Sequence, residues 1–540
     1  MLEALDSRVR SYIKGIETEL KDTKSRHRRS ERERDTYQKK YDSLEIQYEQ
    51  LEEEYRLLLY KRFARSSEKE HDGDQPSLFE EAEVTAEAEV VETGLITVEK
   101  HTRKKRGRKP IDKNVPRVDI AHDIDEAEKR CACGHDLVRI GEEVSERLQV
   151  IPEQIYVERH IRAKYACHVC EGSGDEEKPA VRIAPTPPAV IPGSITTAGL
   201  LAFIIVNKFA DHLPFYRQEK RFERLGIHIS RQDMSNWVVA VGRMVAPLIA
   251  LFRDQIRAGP IINMDETRMQ VLKEPGRANT TESRMWFARG GEPSAPVCLY
   301  GYHERRNGEY PRELLSGCTT YLQTDGYEVY EQIASEESGI TLVGCWAHAR
   351  RRFHDAKKAS KKTGAAEEGL KYIRALYQVE QELRAADLSD DQFVAKRRER
   401  IEPVLEAFKE WLADKEKKVV PSSLLGKAVA YTLGEWDKLV RYLDRAELTA
   451  DNNAAERSIR PFVVGRKNFL FSGSPRGAAA SCNLYSIIET AKQNGMNPYA
   501  YLHYLLSRLP EIRSTGQWQT LLPSELDRDK INTAFFADVR

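Results

Sequence analysis

The 540-residue sequence predicts a multidomain α+β chain. A mixed α/β core is split by a helical insertion and preceded by a long helix, a small cysteine-bearing β unit and a helical region. Three observations predict it. The first 65 residues carry an apolar seam spaced four and three apart. From about residue 258 the apolar period drops from that of a helix to that of strands. Residues 356–445 return to charged, helical patterning before a last helix opens near Asp451. A chain of this length exceeds one compact core.

The N-terminal seam is Tyr37, Tyr41, Leu44, Tyr48, Leu51, Tyr55 and Leu58, and it extends backwards to Leu20, Ile16, Ile13 and Val9. Sustained a/d positions flanked by Glu, Arg and Lys predict a coiled coil over 1–65 and a homo-oligomer. The alternative is a long amphipathic helix packed on its own chain. Residues 66–127 read as a disordered linker ending in a basic arm. Seven glutamates fall between Glu80 and Glu99, and TRKKRGRKP follows from Thr102. The equal totals of 85 basic and 85 acidic side chains hide this segregation. Arg106, Arg108 and Lys109, around one glycine, suit the narrow minor groove of A·T-rich DNA.

Residues 128–190 are expected to form a zinc-binding unit. Cys131 and Cys133, then Cys167 and Cys170, flank an alternating stretch like a hairpin. Two close thiolate pairs match one structural zinc ion. The tight first pair leaves open that His135 or His168 replaces a cysteine. With half of the eight cysteines so grouped, a disulfide framework is not expected. No stretch has the roughly 18 apolar residues of a membrane span, so a cytoplasmic chain without a membrane partner is the simplest expectation.

Residues 191–257 read as one helix ending at the glycine of RFERLG, a turn, and a second helix capped by Ser230. This is a helix-turn-helix-like outline in which Arg231, Gln232 and Asn236 reach DNA. Plain helix packing would look the same.

The core is expected over 258–355 and, after the insertion, 446–510, with a tail at 511–540. IINMDETRMQVL, SRMWFARGG and APVCLYGYH read as three successive strands, PRELLSG as a short helix, TTYLQTDGYEVY as a fourth strand, and GITLVGCWAHARRRF as a fifth strand entering a helix. That order is the ribonuclease-H-like one, with the first and fourth strands side by side. Strand alternation puts Asn263, Asp265 and Thr267 on one face. Asp265 and Asp325 close apolar runs. Glu456 lies on a helix whose same face carries Asn452, Asn453 and Arg460. Three such carboxylates are hard ligands suited to two magnesium or manganese ions for phosphodiester chemistry. Arg350, Arg351, Arg466 and Lys467 read as phosphate contacts. His348 either touches the scissile phosphate, where it can donate a proton, or is simply packed.

MDET, TDGY, CWAHARRRF, DNNAAERSIRP and GRKNFLFSGS, in this order, resemble the transposase of the insertion-sequence family numbered sixty-six. KFADHLPFYRQE, ERLQVIPEQIYVERHIR and ETAKQNGMNPYAYL extend the resemblance from about residue 40 to 510. It implies a DDE transposase with a helical zipper, a zinc-binding region and a DNA-binding helical region. Its acidic triad falls on Asp265, Asp325 and Glu456. The implied reaction is hydrolysis at transposon ends, then attack of the freed 3′ hydroxyl on target DNA. Helper proteins from the same element are often implied too. The tyrosines of the seam depart from the family's usual leucines.

Overall fold

A computed structural model describes residues 7–63, 155–166, 181–359 and 364–537. The four cysteines expected to bind zinc, both candidate histidines beside them, and the basic arm with Arg106, Arg108 and Lys109 lie outside these residues.

The first helix, α1, runs Ser7–Phe63. Its seam stays in solvent, with Tyr37 70% and Leu51 66% exposed. A neighbouring face of its last turns docks on the chain itself. Arg56 donates to the Ala359 carbonyl, Glu53 accepts from the Leu424 N–H at 3.1 Å, and Lys358 sits over the Tyr60 ring. One face of this helix is packed on its own chain, as the second reading has it, and the seam is left exposed.

A two-stranded antiparallel ribbon follows, β1 (Lys164–Ala166) with β2 (Val181–Ile183). The helical region comes next. The stretch expected as one helix is broken in two, α2 (Ala198–Phe209) and α3 (Phe215–Arg224). Pro214, standing at the N-cap of α3, accounts for the break, because proline disfavours helix in the residue before it. Gly226 adopts φ +76°, the left-handed turn expected after α3. Ser230 caps α4 (Arg231–Met244) by accepting from the Asp233 N–H. Pro247 then starts a separate helix, α5 (Ala246–Ala258). Among the described residues no single helix is long and apolar enough to cross a membrane.

The sheet has five strands: β3 (Ile261–Gln270), β4 (Glu282–Glu292), β5 (Ala295–His303), β6 (Thr320–Gln323) and β7 (Ile340–Val343). Their order is β5-β4-β3-β6-β7. The first three are antiparallel meanders, whereas β6 and β7 run parallel to β3. The first and fourth strands are neighbours, as the sequence predicts. The fourth strand is shorter than expected: after Gln323 the chain turns at Asp325, and EVY opens a helix.

Two short helices, α6 (Glu309–Leu315) and α7 (Glu328–Glu336), flank β6 and cover one face of the sheet. Their Tyr310 and Tyr330 pack on Trp286 of β4. Gly301 of β5 is required there, since a Cβ would stand only 2.0 Å from the Tyr310 ring. The helix α8 (Trp346–Ala359) leaves β7 and enters a helical block. That block comprises α9 (Ala365–Arg384), α10 (Asp390–Glu416), α11 (Leu424–Gly434) and α12 (Trp436–Val440). It has its own aromatic core of Trp346, Phe353, Phe408, Trp411 and Trp436. Burying such rings contributes about 2–3 kcal/mol each.

The chain returns as α13 (Asn453–Phe469), α14 (Pro475–Gln493) and α15 (Pro498–Arg508). Ala455, Ile459, Phe462 and Gly465 form the buried stripe of α13. Facing α13, α14 covers β5, the Ser486 and Thr490 hydroxyls accepting from the Tyr300 and Cys298 N–H groups. The stretch expected as a tail carries two further helices, α16 (Thr515–Gln519) and α17 (Arg528–Ala537), with Leu521, Leu522 and Ile531 buried.

Candidate active site

The register of β3 and β6 builds the site. Their parallel pairing ends at Asn263 opposite Gln323. The side chains of that pair meet, the Asn263 amide donating to Gln323 Oε1 at 3.1 Å. Side chains alternate along β3, so Asp265 returns to the face of Asn263. Asp325 stands two residues past Gln323, in the turn that follows β6. The strands separate at this point, β3 continuing with β4 while β6 turns into the Asp325 loop. A crevice beyond the carboxyl ends of parallel strands is where such sheets take ligands.

The third carboxylate arrives by the same logic. Asn452, buried at the N-cap of α13, accepts from the Asn263 amide at 3.1 Å and donates to the Met264 carbonyl at 2.8 Å. One helical turn later on that face stands Glu456. Each acid therefore lies one structural repeat beyond an amide, and the amides Asn263, Gln323 and Asn452 are bonded to one another or to a shared neighbour. Gln323 also donates to the Thr449 carbonyl at 2.6 Å, fixing the approach to α13.

The electrostatics show that the acids interact. Burial pushes the Asp265 carboxyl up to about 8, helped by the negative charges of Glu266, Asp325 and Glu456 and opposed by the bond from the Glu266 N–H. Glu456 is raised by burial, with Arg351 pulling it down and Asp451 and Asp325 pushing it up. Arg351 lies 3.7 Å from Glu456, and His348 Nδ1 3.9 Å. Burial, then the cations Arg351 and Arg352, hold the His348 imidazole below its usual range, against the pull of Asp325.

Sequence reasoning missed two members. Glu266 is buried beside this set, raised by burial and by Asp325, and held by Arg306. Arg306 stacks on Tyr327, whose N–H donates to Asp325 Oδ1 at 3.2 Å. Strand alternation assigned Glu266 to the opposite face, and only the opened edge of β3 lets it act here. Gln323 was missed because a lone amide in an apolar run carries no pattern of its own.

Asp265, Glu266, Asp325 and Glu456 act on one another electrostatically, and Arg306 and Arg351 contact Glu266 and Glu456, but among the described residues Asp265, Asp325 and Glu456 do not form a group whose oxygens all lie within 4.8 Å of one another. A bound cation would oppose the burial, and after it the like-charge repulsion, that raise the Asp265 carboxyl. Cys345, His348 and Glu456 present ligand atoms within 4.8 Å of one another. Cys345 is an unsuitable donor, since its sulfur already accepts from the Asn452 N–H and burial pushes its thiol up to about 12. The hard oxygen ligands remain.

The expected DNA contacts divide. Arg231, Gln232 and Asn236 are exposed at the start of α4, with the Gln232 amide donating to Asn236. Arg466 braces the strand instead, donating to Thr267 Oγ1 and the Arg268 carbonyl. Lys467 and Arg460 are exposed on α13. Arg350 influences Asp451, which in turn accepts from the Asn453 N–H and amide.

Comparison with known proteins gives these features a context. The model described as the transposase IS66 family matches residues 193–480. The zinc-finger binding domain of transposase IS66 matches 128–171, the model described as transposase C of IS166 homeodomain matches 50–120, and the IS66 C-terminal element matches 486–524. The uncharacterized protein y4jD of Sinorhizobium fredii is 34% identical over 438 residues, covering 78% of this chain and 83% of its own. The protein y4qI of the same organism is 31% identical, with 82% and 83% covered. Such domains imply a divalent metal in the catalytic part and zinc in the finger, and a protein that binds and processes DNA. The chain belongs to the IS66 transposase family.

Proposed function

We propose that this transposase cleaves the ends of its element to free 3′ hydroxyls and joins them to target DNA, using Asp265, Asp325 and Glu456 as ligands for two magnesium or manganese ions. The carrying observation is the register that sets Asp265 and Asp325 equally far past the Asn263–Gln323 pair. The strand order β5-β4-β3-β6-β7, with two parallel neighbours beside an antiparallel meander, supports a ribonuclease-H-like core. When bound, the ions activate the attacking oxygen and stabilise the leaving one.

The chain's own groups do the rest. The amides Asn263, Gln323 and Asn452 hold the acids on one face. Arg351 can neutralise a phosphate oxygen next to Glu456. His348 is the nearest group able to take or give a proton. Arg231, Gln232, Asn236, Arg460 and Lys467 supply DNA contacts on α4 and α13, and Arg106, Arg108 and Lys109 grip the minor groove. Cys131, Cys133, Cys167 and Cys170 hold one structural zinc ion. Copies pair through the exposed seam of α1. Helper proteins from the same element complete the assembly.

The test uses full-length protein, magnesium, and a duplex ending in the element's terminal sequence together with a target plasmid. Wild type should yield nicked ends and joined products. Glu456→Gln should bind the duplex as well but produce neither. Cleavage without joining would mark a plain nuclease. Cleavage that survives Glu456→Gln would refute the assignment.

A further inference from the structure

A second site lies at the far end of α13, away from the acids. A cavity of about 220 Å³ opens there between α2, α4, α13 and α14. Its wall holds the Lys208 ammonium among three phenyl rings, 3.9 Å from the centroid of Phe469, 4.2 Å from Phe215 and 5.7 Å from Phe209. No carboxylate of the described residues reaches this lysine. Burial alone lowers it to about 8. A desolvated lysine kept without a counter-charge costs stability unless something uses it.

The mouth is equally unusual. Leu470 and Phe471 are 65% and 47% exposed. Leu470 takes φ +69°, a left-handed conformation that leucine rarely adopts. Strain of about 1–3 kcal/mol persists only where the surroundings enforce it. Here they do: the Leu470 N–H bonds to the Arg466 carbonyl at 2.7 Å, and Ser472 exchanges bonds with the backbone of Gln270 and Leu272 at the end of β3. The tip is thus pinned both to the helix bearing Glu456 and to the strand bearing Asp265. Basic groups surround it, with Arg466 lining the cavity and Lys467 exposed beside it.

We propose that this cavity receives a nucleobase unstacked from the DNA, with Leu470 and Phe471 wedged into the gap and Lys208 donating to the base. The inference rests on the reading that DNA crosses the acidic crevice. Phenyl walls suit the flat face of any base, and stacking of this kind is worth about 1–3 kcal/mol per base. Apolar side chains that enter a base step are a known means of distorting duplexes. A phosphate would find one cation and an apolar wall, leaving most of its oxygens unpaired. A base needs one or two donors and apolar faces. Ser235, which also lines the cavity, lies on the exposed start of α4 beside Gln232 and Asn236, so DNA held there passes the mouth.

The experiment places 2-aminopurine at successive positions of the terminal duplex and measures fluorescence on binding with calcium. Binding by wild-type protein should raise the signal several-fold at one or two positions near the cleavage point. Phe471→Ala and Lys208→Met should each abolish that rise while leaving total duplex affinity within about tenfold. An abasic nucleotide at the responsive position should restore the cleavage rate of Phe471→Ala. If wild type binds and cuts with no position responding, or if both variants keep the full response, the cavity does not receive a base. A duplex that is bound but not cut, or cut independently of Glu456, would instead overturn the assignment of the acids. If the lysine variant fails to fold, Phe471→Ala alone decides, because its side chain lies at the exposed mouth.

Discussion

Two places in this molecule bury charge, and they do so to opposite ends. In the helical block, Arg397 of α10 is fully buried. Its guanidinium meets Glu380 at 2.6 Å and donates to the carbonyls of Tyr442, Arg445 and Leu448. Phe393 and Tyr442 pack on its faces. Its charge and its two terminal nitrogens are answered from within the chain. In the acidic crevice, burial first and the neighbouring carboxylates Glu266, Asp325 and Glu456 after it drive Asp265 up to about 8. Charge that is answered locally stabilises a shape, and charge left in surplus calls for an external cation. Glu380 is also raised by burial, but Arg397 pulls it back. Burial raises both acids, and their partners separate them: Glu380 faces Arg397, whereas Asp265 faces other carboxylates.

This contrast can be broken at either end. The largest effect should come from Asp265→Asn, with DNA cleavage falling by about a thousandfold or more. The same variant should melt no lower than wild type without metal at neutral pH, since the buried Asp265 carboxyl is already neutral there. A lower melting temperature in calorimetry would show that Asp265 is structural. Next, Arg397→Met should cost about 3–5 kcal/mol in urea unfolding by stranding Glu380. Adding Glu380→Met should recover most of that loss. No recovery would mean that the carbonyl bonds, rather than the ion pair, carry the effect.

A pH series sharpens the crevice end. Asp265 has its pKa raised on folding, so its contribution favours the folded state at low pH and is lost as pH rises through about 8. Metal-free protein should therefore lose on the order of a few kcal/mol between about pH 5 and 9, and magnesium should protect most at the alkaline end. A pH-independent magnesium shift would contradict the crowding of carboxylates. The smallest effect is expected from Asn452→Ala, about 1–3 kcal/mol from the lost bonds to Asn263 and Met264. Its cleavage rate should fall while magnesium affinity drops severalfold, measured by titration calorimetry.

Much of the core was legible in the sequence because it is periodic. The three opening strands, Ser230 as a cap and the turn at Gly226 follow from local pattern, and the fourth strand beside the first follows from the order of the elements. The break at Pro214 was missed because the apolar spacing continues across it. The fate of α1 was half legible: a seam predicts an unburied apolar stripe, but the docked face beside it carries mixed polar residues with no period of its own. Asp265, Asp325 and Glu456 stood out through their context, not singly. That they are held by Asn263, Gln323 and Asn452 depends on strand register, which a sequence does not print. Lys208 was invisible for the same reason, since its three rings come from separate helices.

The docking of α1 has a geometric consequence. A helix of 57 residues spans roughly 85 Å, and only its last turns are clamped to the block that leads into α13. It acts as a caliper jaw with a fixed root. Two copies zipped along the open seam would hold their crevices at a separation dictated by the clamp, so the stagger between paired strand breaks would be measured by the protein before any base is read.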